Sequence, residues 1–312
     1  MNISNVFFRI CCNNPRRFFG LIVVVIFCFS VGGNLTQGVL AQNPLPPVLT
    51  PTTPAAAEKL NEGLSLIKQG QLDSAIAAFQ EATRLNPKLA AAHYNLGLAL
   101  RQKGQLRTAA NAFYEAIKVD PDFTLAFANL GAALLEGKNF PQAKEYLTIA
   151  LQQDPEMGLA HYNLGLVLVQ LGEIEPAVTS FRNAAQYSHN APEPYYYLGQ
   201  IYLQQKQTKA AKDALQKAIQ INPNYADAHY NLGGIYFAEE NLEAALNSFR
   251  KVTENNPSYA GAYYAAGLIF IRQGRYDEAR QVIEYARDLY TNQNNQQWAN
   301  KARELLAKIQ DL

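Results

Sequence analysis

The sequence predicts an all-α protein, a right-handed superhelical solenoid of seven helical hairpins with a C-terminal capping helix. Three observations support this. A glycine and an alanine each recur every 34 residues without a slip, and a proline closes most of the repeats. A fixed period of this size is the signature of a stacked repeat architecture. The glycines are Gly63, Gly97, Gly131, Gly165, Gly199, Gly233 and Gly267. The alanines are Ala75, Ala109, Ala143, Ala177, Ala211, Ala245 and Ala279.

The first 41 residues have the order of a secretion signal. Arg9, Arg16 and Arg17 precede an apolar run over residues 18–31, and Val39-Leu40-Ala41 supplies small residues for cleavage before Gln42. The run is shorter than the roughly 20 residues that a membrane-spanning helix needs. We therefore predict a signal peptide over residues 1–41. The alternative is an uncleaved anchor that associates with the membrane through residues 18–31.

Both interpretations of the leader predict export of the repeats from a bacterium-like cell. The arginines stay on the inner side of the membrane, so the rest of the chain crosses it. We expect a periplasmic or extracellular protein, or one anchored by its N-terminus with the repeats on the non-cytoplasmic side.

Residues 42–55 form a proline-rich linker. Five prolines in this segment favour an extended polyproline II conformation and prevent a helix from propagating. We interpret it as a spacer, and a proline-rich ligand for a recognition domain is the alternative.

Charge and cysteine content exclude several classes of function. The formal net charge is +1, and no basic excess predicts a nucleic-acid partner. All three cysteines, Cys11, Cys12 and Cys28, lie in the leader. The repeats therefore contain no disulfide, no thiolate metal site and no cysteine nucleophile.

Each repeat divides into two amphipathic helices. In the second repeat, Leu96 and Leu100 lie four residues apart on the first helix. The second helix carries its own apolar stripe, formed by Ala109, Phe113, Ala116 and Ile117. Asn-Pro or Asp-Pro ends five of the repeats, because proline moves its predecessor out of the α region and Asn or Asp suits the turn.

At these positions the chain resembles the tetratricopeptide repeat family. The motif residues of the second repeat are the cluster His93 to Gly97, then Ala109, Phe113 and the closing Pro121. The resemblance covers residues 56–293 and implies a non-catalytic array that binds a protein or an extended peptide. The predicted repeats are residues 56–89, 90–123, 124–157, 158–191, 192–225, 226–259 and 260–293.

The repeated glycine predicts a close approach of the two helices in each hairpin. Glycine inside a helix costs about 1 kcal/mol relative to alanine. Seven such costs are tolerable only if close packing of the helices returns more free energy.

The apolar pattern of residues 294–312 predicts the capping helix. Trp298, Ala302, Leu305, Leu306 and Ile309 fall on one helical face. The last hairpin of an array otherwise exposes its apolar side, so a terminal helix is expected to cover it.

The resemblance places the candidate peptide-binding residues on the first helix of each hairpin, in a concave groove. An asparagine amide can pair with the N–H and the C=O of a peptide, and tyrosine adds apolar area with a polar tip. The alternative is that these residues are only the repeat's usual packing. The candidates are Asn61, Asn95, Asn129, Asn163, Asn231, Tyr94, Tyr162, Tyr196, Tyr197, Tyr230 and Tyr264.

No residues predict catalysis, a metal or a cofactor. Asp120 and Asp122 flank a closing proline, where a turn explains them. His93, His161 and His229 recur at one position of different repeats, where packing explains them. The groove slots lack the lysines and arginines with which some family members grip a C-terminal carboxylate, so no chaperone tail is expected. The alternative functions are a structural spacer or assembly factor of a cell-envelope complex and, remotely, a glycosyltransferase-associated module.

The fifth repeat departs from its neighbours. The preceding turn lacks its proline, Pro192 and Pro194 flank Glu193, and Tyr197 replaces the groove asparagine. We expect a late helix start near Pro194 and an aromatic contact of its tyrosines in the groove. We also expect a locally weak junction that divides four repeats from three.

Overall fold

The computed structural model describes residues 53–310, and the leader and most of the proline-rich linker lie outside them. The described residues form 15 α-helices without a strand, and consecutive helices pair into hairpins, as predicted. The first helices of the hairpins are α1 Pro54–Lys68, α3 Ala90–Gln102, α5 Thr124–Glu136, α7 Gly158–Leu171, α9 Glu193–Gln204, α11 Ala226–Ala238 and α13 Ala260–Arg272. The second helices are α2 Leu72–Leu85, α4 Leu106–Val119, α6 Phe140–Gln153, α8 Ile174–Tyr187, α10 Thr208–Ile221, α12 Leu242–Asn255 and α14 Tyr276–Asn292, and α15 is Gln296–Gln310.

The chain divides into two compact units, with the boundary between Ser188 and His189. Within the described residues, the first unit holds α1 to α8 and the second holds α9 to α15. The boundary falls at the junction that the sequence predicts between the four-repeat and three-repeat parts. The low local stability of this junction stays a prediction.

The periodic glycines lie where the two helices of a hairpin approach most closely. A Cβ atom on Gly97 would be 2.6 Å from Cε1 of Phe113, and one on Gly131 would be 2.5 Å from Cγ of Leu147. Real Cβ atoms essentially never approach a neighbour this closely. The partner is the residue sixteen positions later in every repeat, and it is fully or almost fully buried. The predicted close approach is therefore confirmed.

The closing turns are held by side chains that repeat with them. The carboxylate of Asp120 accepts a hydrogen bond from the backbone N–H of Asp122 at 3.2 Å. Asn86, Asp154, Asn222 and Asn256 make the same contact two residues ahead. An Asx side chain that bonds its own backbone in this way stabilises a turn.

The three periodic histidines are half-buried. Each lies on the helix that follows a closing turn, and its ring contacts the backbone of that turn. A ring nitrogen of His93 lies 2.9 Å from the carbonyl oxygen of Pro87, six residues earlier. His161 and Pro155, and His229 and Pro223, repeat this contact at the same distance. Within residues 53–310, no group of three or more His, Cys, Asp or Glu side chains could hold a metal ion.

The connection inside each hairpin places one residue in the left-handed region. Gly70, Gly104, Gly172 and Gly274 have φ between 73° and 79° there. The other three repeats use Lys138, Lys206 and Glu240 at φ of 60° to 61°. L-residues adopt this conformation at a cost that glycine avoids.

The predicted C-terminal helix is present and packs on the last hairpin. It buries Ala299, Ala302, Leu306 and Ile309, with Leu305 and Trp298 partly buried beside them. The Trp298 ring stacks on Tyr290 at 5.8 Å and meets Tyr264 edge-on at 5.6 Å.

The fifth repeat shows the predicted departures. Its first helix begins at Glu193, one residue before the predicted Pro194. In repeats two, three, four, six and seven the first helix begins one register position earlier. Tyr196 contacts Tyr197 at 5.4 Å and Tyr225 at 5.2 Å. The expected aromatic contact therefore exists, although Tyr196 and Tyr197 are both buried.

Among the helices of the described residues, none combines the length and the apolar character needed to cross a membrane.

Candidate protein-interaction face

The candidate residues form one face of the first helices. They occupy two successive register positions, three and two residues before the periodic glycine. Residues three or four positions away on the same helix share that face. We call this surface the Tyr–Asn face, and it also includes the leucines at those neighbouring positions, such as Leu159 and Leu166.

The structure divides the candidates by exposure. Asn61 is exposed, whereas Asn231, Tyr162 and Tyr230 are half-buried. The others are buried, with 3% to 9% of their surface exposed: Asn95, Asn129, Asn163, Tyr94, Tyr196, Tyr197 and Tyr264. Most of the candidates therefore take part in packing, and peptide contact through them stays a prediction.

Asn129 shows how a buried asparagine is satisfied. Its Nδ2 donates to the backbone oxygen of Leu125 at 2.9 Å and to the hydroxyl of Tyr94 at 3.2 Å. Its Oδ1 accepts from Arg101 at 3.3 Å. Tyr94 and Arg101 belong to the preceding repeat, so this asparagine joins two repeats.

The same pairing recurs in the second unit. Asn231 follows Tyr196 by 35 residues, as Asn129 follows Tyr94. Both pairs connect a tyrosine of one repeat to the asparagine of the next. Burial raises the pKa of Tyr196, so its hydroxyl stays protonated, and the amide of Asn231 lowers that pKa in part, as a donor beside the hydroxyl does. The Tyr196 hydroxyl also accepts a hydrogen bond from Gln200 at 2.7 Å.

Asn163 lacks these partners. Ala128 and Leu135 take the register positions that Tyr94 and Arg101 hold in the preceding repeat, and neither side chain can form a hydrogen bond. Asn163 is 8% exposed and makes no side-chain hydrogen bond within residues 53–310, and its amide still reaches solvent. It is the one buried asparagine of the face without an internal partner in the part of the chain that the structure describes.

Apolar side chains surround Asn163 and are open to solvent. Leu159, one turn earlier on the same helix, is 46% exposed, and Leu166, one turn later, is half-buried. Leu125 is also half-buried at the position of Leu159 in the preceding repeat. Single exposed leucines are common on surfaces, but here they lie beside an amide that lacks a partner.

The second unit is different because carboxyl groups take the place of these leucines. Glu193 and Asp227 occupy the register position of Leu125 and Leu159. The Tyr259 hydroxyl donates to Oδ1 of Asp227 at 3.2 Å. Burial raises the pKa of Asp227, and this hydrogen bond offsets part of the shift.

Sequence reasoning found the asparagines but missed the leucines and the difference between the units. The repeat motif identifies which register positions face outward. It does not show that Ala128 and Leu135 leave Asn163 without partners. That result appears only when each asparagine is compared with the residues of the preceding repeat.

Comparisons with known proteins agree with this architecture. Family models described as TPR repeat match residues 63–104, 165–206 and 199–238. Models described as tetratricopeptide repeat match residues 90–123 and 230–294. Together these matches extend over residues 63–123 and 165–294, which is more than half of the chain.

Solved structures of TPR proteins share the fold. YrrB, described as a TPR protein with an unusual peptide-binding site, is 27% identical over 62% of this chain and 99% of its own, with a TM-score of 0.52. A tetratricopeptide repeat protein from Parabacteroides merdae is 18% identical over 80% of this chain and 100% of its own, with a TM-score of 0.61.

PilW, a type IV pilus biogenesis factor, is 19% identical over 66% of this chain and 96% of its own, with a TM-score of 0.58. PilW and the Parabacteroides protein show the fold alone. No curated protein matches the sequence. The repeat matches and the hairpin structure agree, and the chain belongs to the tetratricopeptide repeat family, whose arrays serve as protein-interaction scaffolds.

Proposed function

We propose that this protein is an exported, non-catalytic scaffold that binds an extended segment of another protein on the Tyr–Asn face. The observation that carries the proposal is the recurrence, within each unit, of first helices that present the same two register positions. Such a surface can follow a chain over several repeats, because each repeat adds an equivalent set of side chains.

The chemistry of the face suits a peptide. Asparagine amides and tyrosine hydroxyls donate and accept hydrogen bonds, which an extended main chain requires. The leucines beside them offer apolar contact area. The resemblance to YrrB, which has a peptide-binding site, supports the same function here.

Export and the absence of catalysis are parts of the proposal. The basic residues, apolar run and small residues of the first 41 positions support export. Hairpin repeats make up most of residues 53–310, and arrays of this kind present extended binding surfaces, which supports a binding role. N-terminal sequencing of the native protein tests export. We expect the mature chain to begin at or near Gln42, and an intact Met1 on a cytoplasmic protein would contradict it.

Two matched substitutions test which surface binds partners. Leu159 on first helix α7 and Tyr114 on second helix α4 are both 46% exposed, and either can be changed to aspartate. Exposed side chains tolerate this change with little effect on folding. The full-length variants are used as bait in quantitative pull-downs from the organism that produces the protein.

The two rival functions predict opposite results. If partners bind the Tyr–Asn face, Leu159→Asp should deplete them and Tyr114→Asp should leave them unchanged. Loss of partners with Tyr114→Asp, and their retention with Leu159→Asp, would support a structural role through the second helices and overturn the proposal. Circular dichroism melting confirms that both variants fold.

A further inference from the structure

We propose that Asn163 and Leu159 form the main peptide subsite of the first unit, and that it takes an uncharged, extended segment with an aliphatic side chain. This inference rests on the proposed function and identifies the part of the face that contacts the ligand. It depends on one irregularity, the alanine at position 128.

The structure first shows which asparagines are already engaged. Asn129 uses both ends of its amide, with Tyr94, Leu125 and Arg101 as partners. Asn95 donates to the backbone oxygen of Ala91 at 2.7 Å. A ligand would have to break these bonds before it could use the donors of Asn129, whereas Asn95 has one of its two N–H donors engaged.

Asn163 needs no such exchange. Asn163 is 8% exposed, and its amide has neither a donor nor an acceptor partner within residues 53–310 but reaches solvent. A ligand would therefore have to displace only water from this amide. A peptide main chain would satisfy it, since an amide side chain can donate to a C=O and accept from an N–H at once.

Ala128 explains why Asn163, unlike Asn129, has no tyrosine hydroxyl from the preceding repeat to bond with. In the second, fifth and sixth repeats a tyrosine at that position packs on an aromatic residue that ends the repeat. Those pairs are Tyr94 with Phe123, Tyr196 with Tyr225, and Tyr230 with Tyr259. In the third repeat the same positions hold Ala128 and Met157, so the hydroxyl that would reach Asn163 is missing.

The surroundings of Asn163 determine the chemistry of the ligand. Leu125, Leu159 and Leu166 are apolar and partly or largely open to solvent. Helices α5 and α7 carry one charged side chain, Glu136, and its carboxylate is paired with Arg101. These helices therefore offer little charge to a charged ligand side chain, whereas an aliphatic one would bury apolar area against the leucines.

The test uses the purified full-length chain and an array of decapeptides in three classes: uncharged aliphatic, basic and acidic. We expect binding to the aliphatic class. Asn163→Ala should weaken binding of the best fluorescein-labelled peptide by about 10-fold, because it removes hydrogen bonds to the main chain. Its melting temperature should not change, since no internal bond is lost.

Two further variants make the test specific. Ala128→Tyr should supply the missing hydroxyl and occupy Asn163, so binding should fall while the chain stays folded. A peptide methylated at the contacted N–H should bind wild type more weakly but lose nothing further with Asn163→Ala. Tyr114→Asp is the control, and we expect it to change the peptide affinity less than 3-fold, because this exposed side chain lies on second helix α4, outside the Tyr–Asn face.

The outcomes separate this inference from the proposed function. Unchanged affinity with Asn163→Ala, or preferred binding of basic or acidic peptides, would overturn the subsite while leaving a peptide-binding face possible. Absence of binding to any peptide class, together with partners that depend on Tyr114, would overturn the proposed function as well.

Discussion

The Nδ2 atom of Asn129 donates a hydrogen bond to the hydroxyl of Tyr94 at 3.2 Å, across the boundary between the second and third repeats. Both residues are at least nine-tenths buried. The pairing recurs between Tyr196 and Asn231 in the second unit. The residue pair Tyr-Asn in the repeat motif therefore has a structural use, since each tyrosine can serve the asparagine of the following repeat.

Tyr94→Phe tests this contact because it removes only the hydroxyl. We expect a loss of about 1 kcal/mol in the free energy of unfolding, the usual contribution of one hydrogen bond. Urea denaturation of the full-length chain measures it. Tyr114→Phe is the control, because the Tyr114 side chain is exposed and its loss of a hydroxyl should have no measurable effect. Equal stabilities of the two variants would count against an inter-repeat bond.

The sequence predicted the architecture because its signals are local and repeated. The 34-residue step gave the hairpins, the glycines gave their close approach, and Trp298 with Ile309 gave the last helix. It did not predict which asparagines are satisfied, because that depends on residues of the preceding repeat. The start of α9 was misplaced by one residue, since proline is tolerated throughout the first turn of a helix.

Gly97→Ala should destabilise the chain although alanine is the better helix former. The new Cβ would be 2.6 Å from the Phe113 ring, and overpacking of this kind costs about 1–3 kcal/mol. The higher helix propensity of alanine offsets about 1 kcal/mol of this cost. We expect a net loss of up to about 2 kcal/mol in the free energy of unfolding, measured by chemical denaturation. Gln102→Ala, on an exposed position of the same helix, should change stability by less than about 0.5 kcal/mol. A neutral or stabilising Gly97→Ala would show that the helices can separate without cost.

Lys206→Gly should stabilise the second unit. Lys206 lies in the left-handed region at φ 61°, where four other repeats have glycine. Because glycine adopts this conformation without the steric cost, the free energy of unfolding should rise by about 0.5–1 kcal/mol. This figure already includes the greater chain entropy of glycine in the unfolded state. Lys217→Gly, at an exposed position in the interior of α10, should instead cost about 1 kcal/mol. The prediction is wrong if both glycines lower the melting temperature equally.

Asp227→Asn should raise the melting temperature at pH 7. Burial raises the pKa of the Asp227 carboxyl, so its ionised form opposes folding at neutral pH. The stability that this carboxyl contributes is fully present below the ordinary pKa of aspartate and is lost as the pH rises through the raised value. The gain from Asn should therefore shrink as the pH falls through the raised pKa, and it should disappear below about 4, the ordinary pKa of aspartate. Asp213→Asn, at an exposed position on α10, is the control. A gain that does not depend on pH would contradict the assignment.

Partner binding on the first helices, rather than on the second, can be tested by photo-crosslinking. The photo-reactive residue p-benzoylphenylalanine is placed in the full-length chain at Leu159 or at Tyr114, which are equally exposed. After irradiation in the producing cells, mass spectrometry identifies the cross-linked peptides. We expect a discrete partner segment with aliphatic residues at position 159, and no specific adduct at position 114. A specific adduct at position 114, with none at position 159, would contradict binding on the first helices.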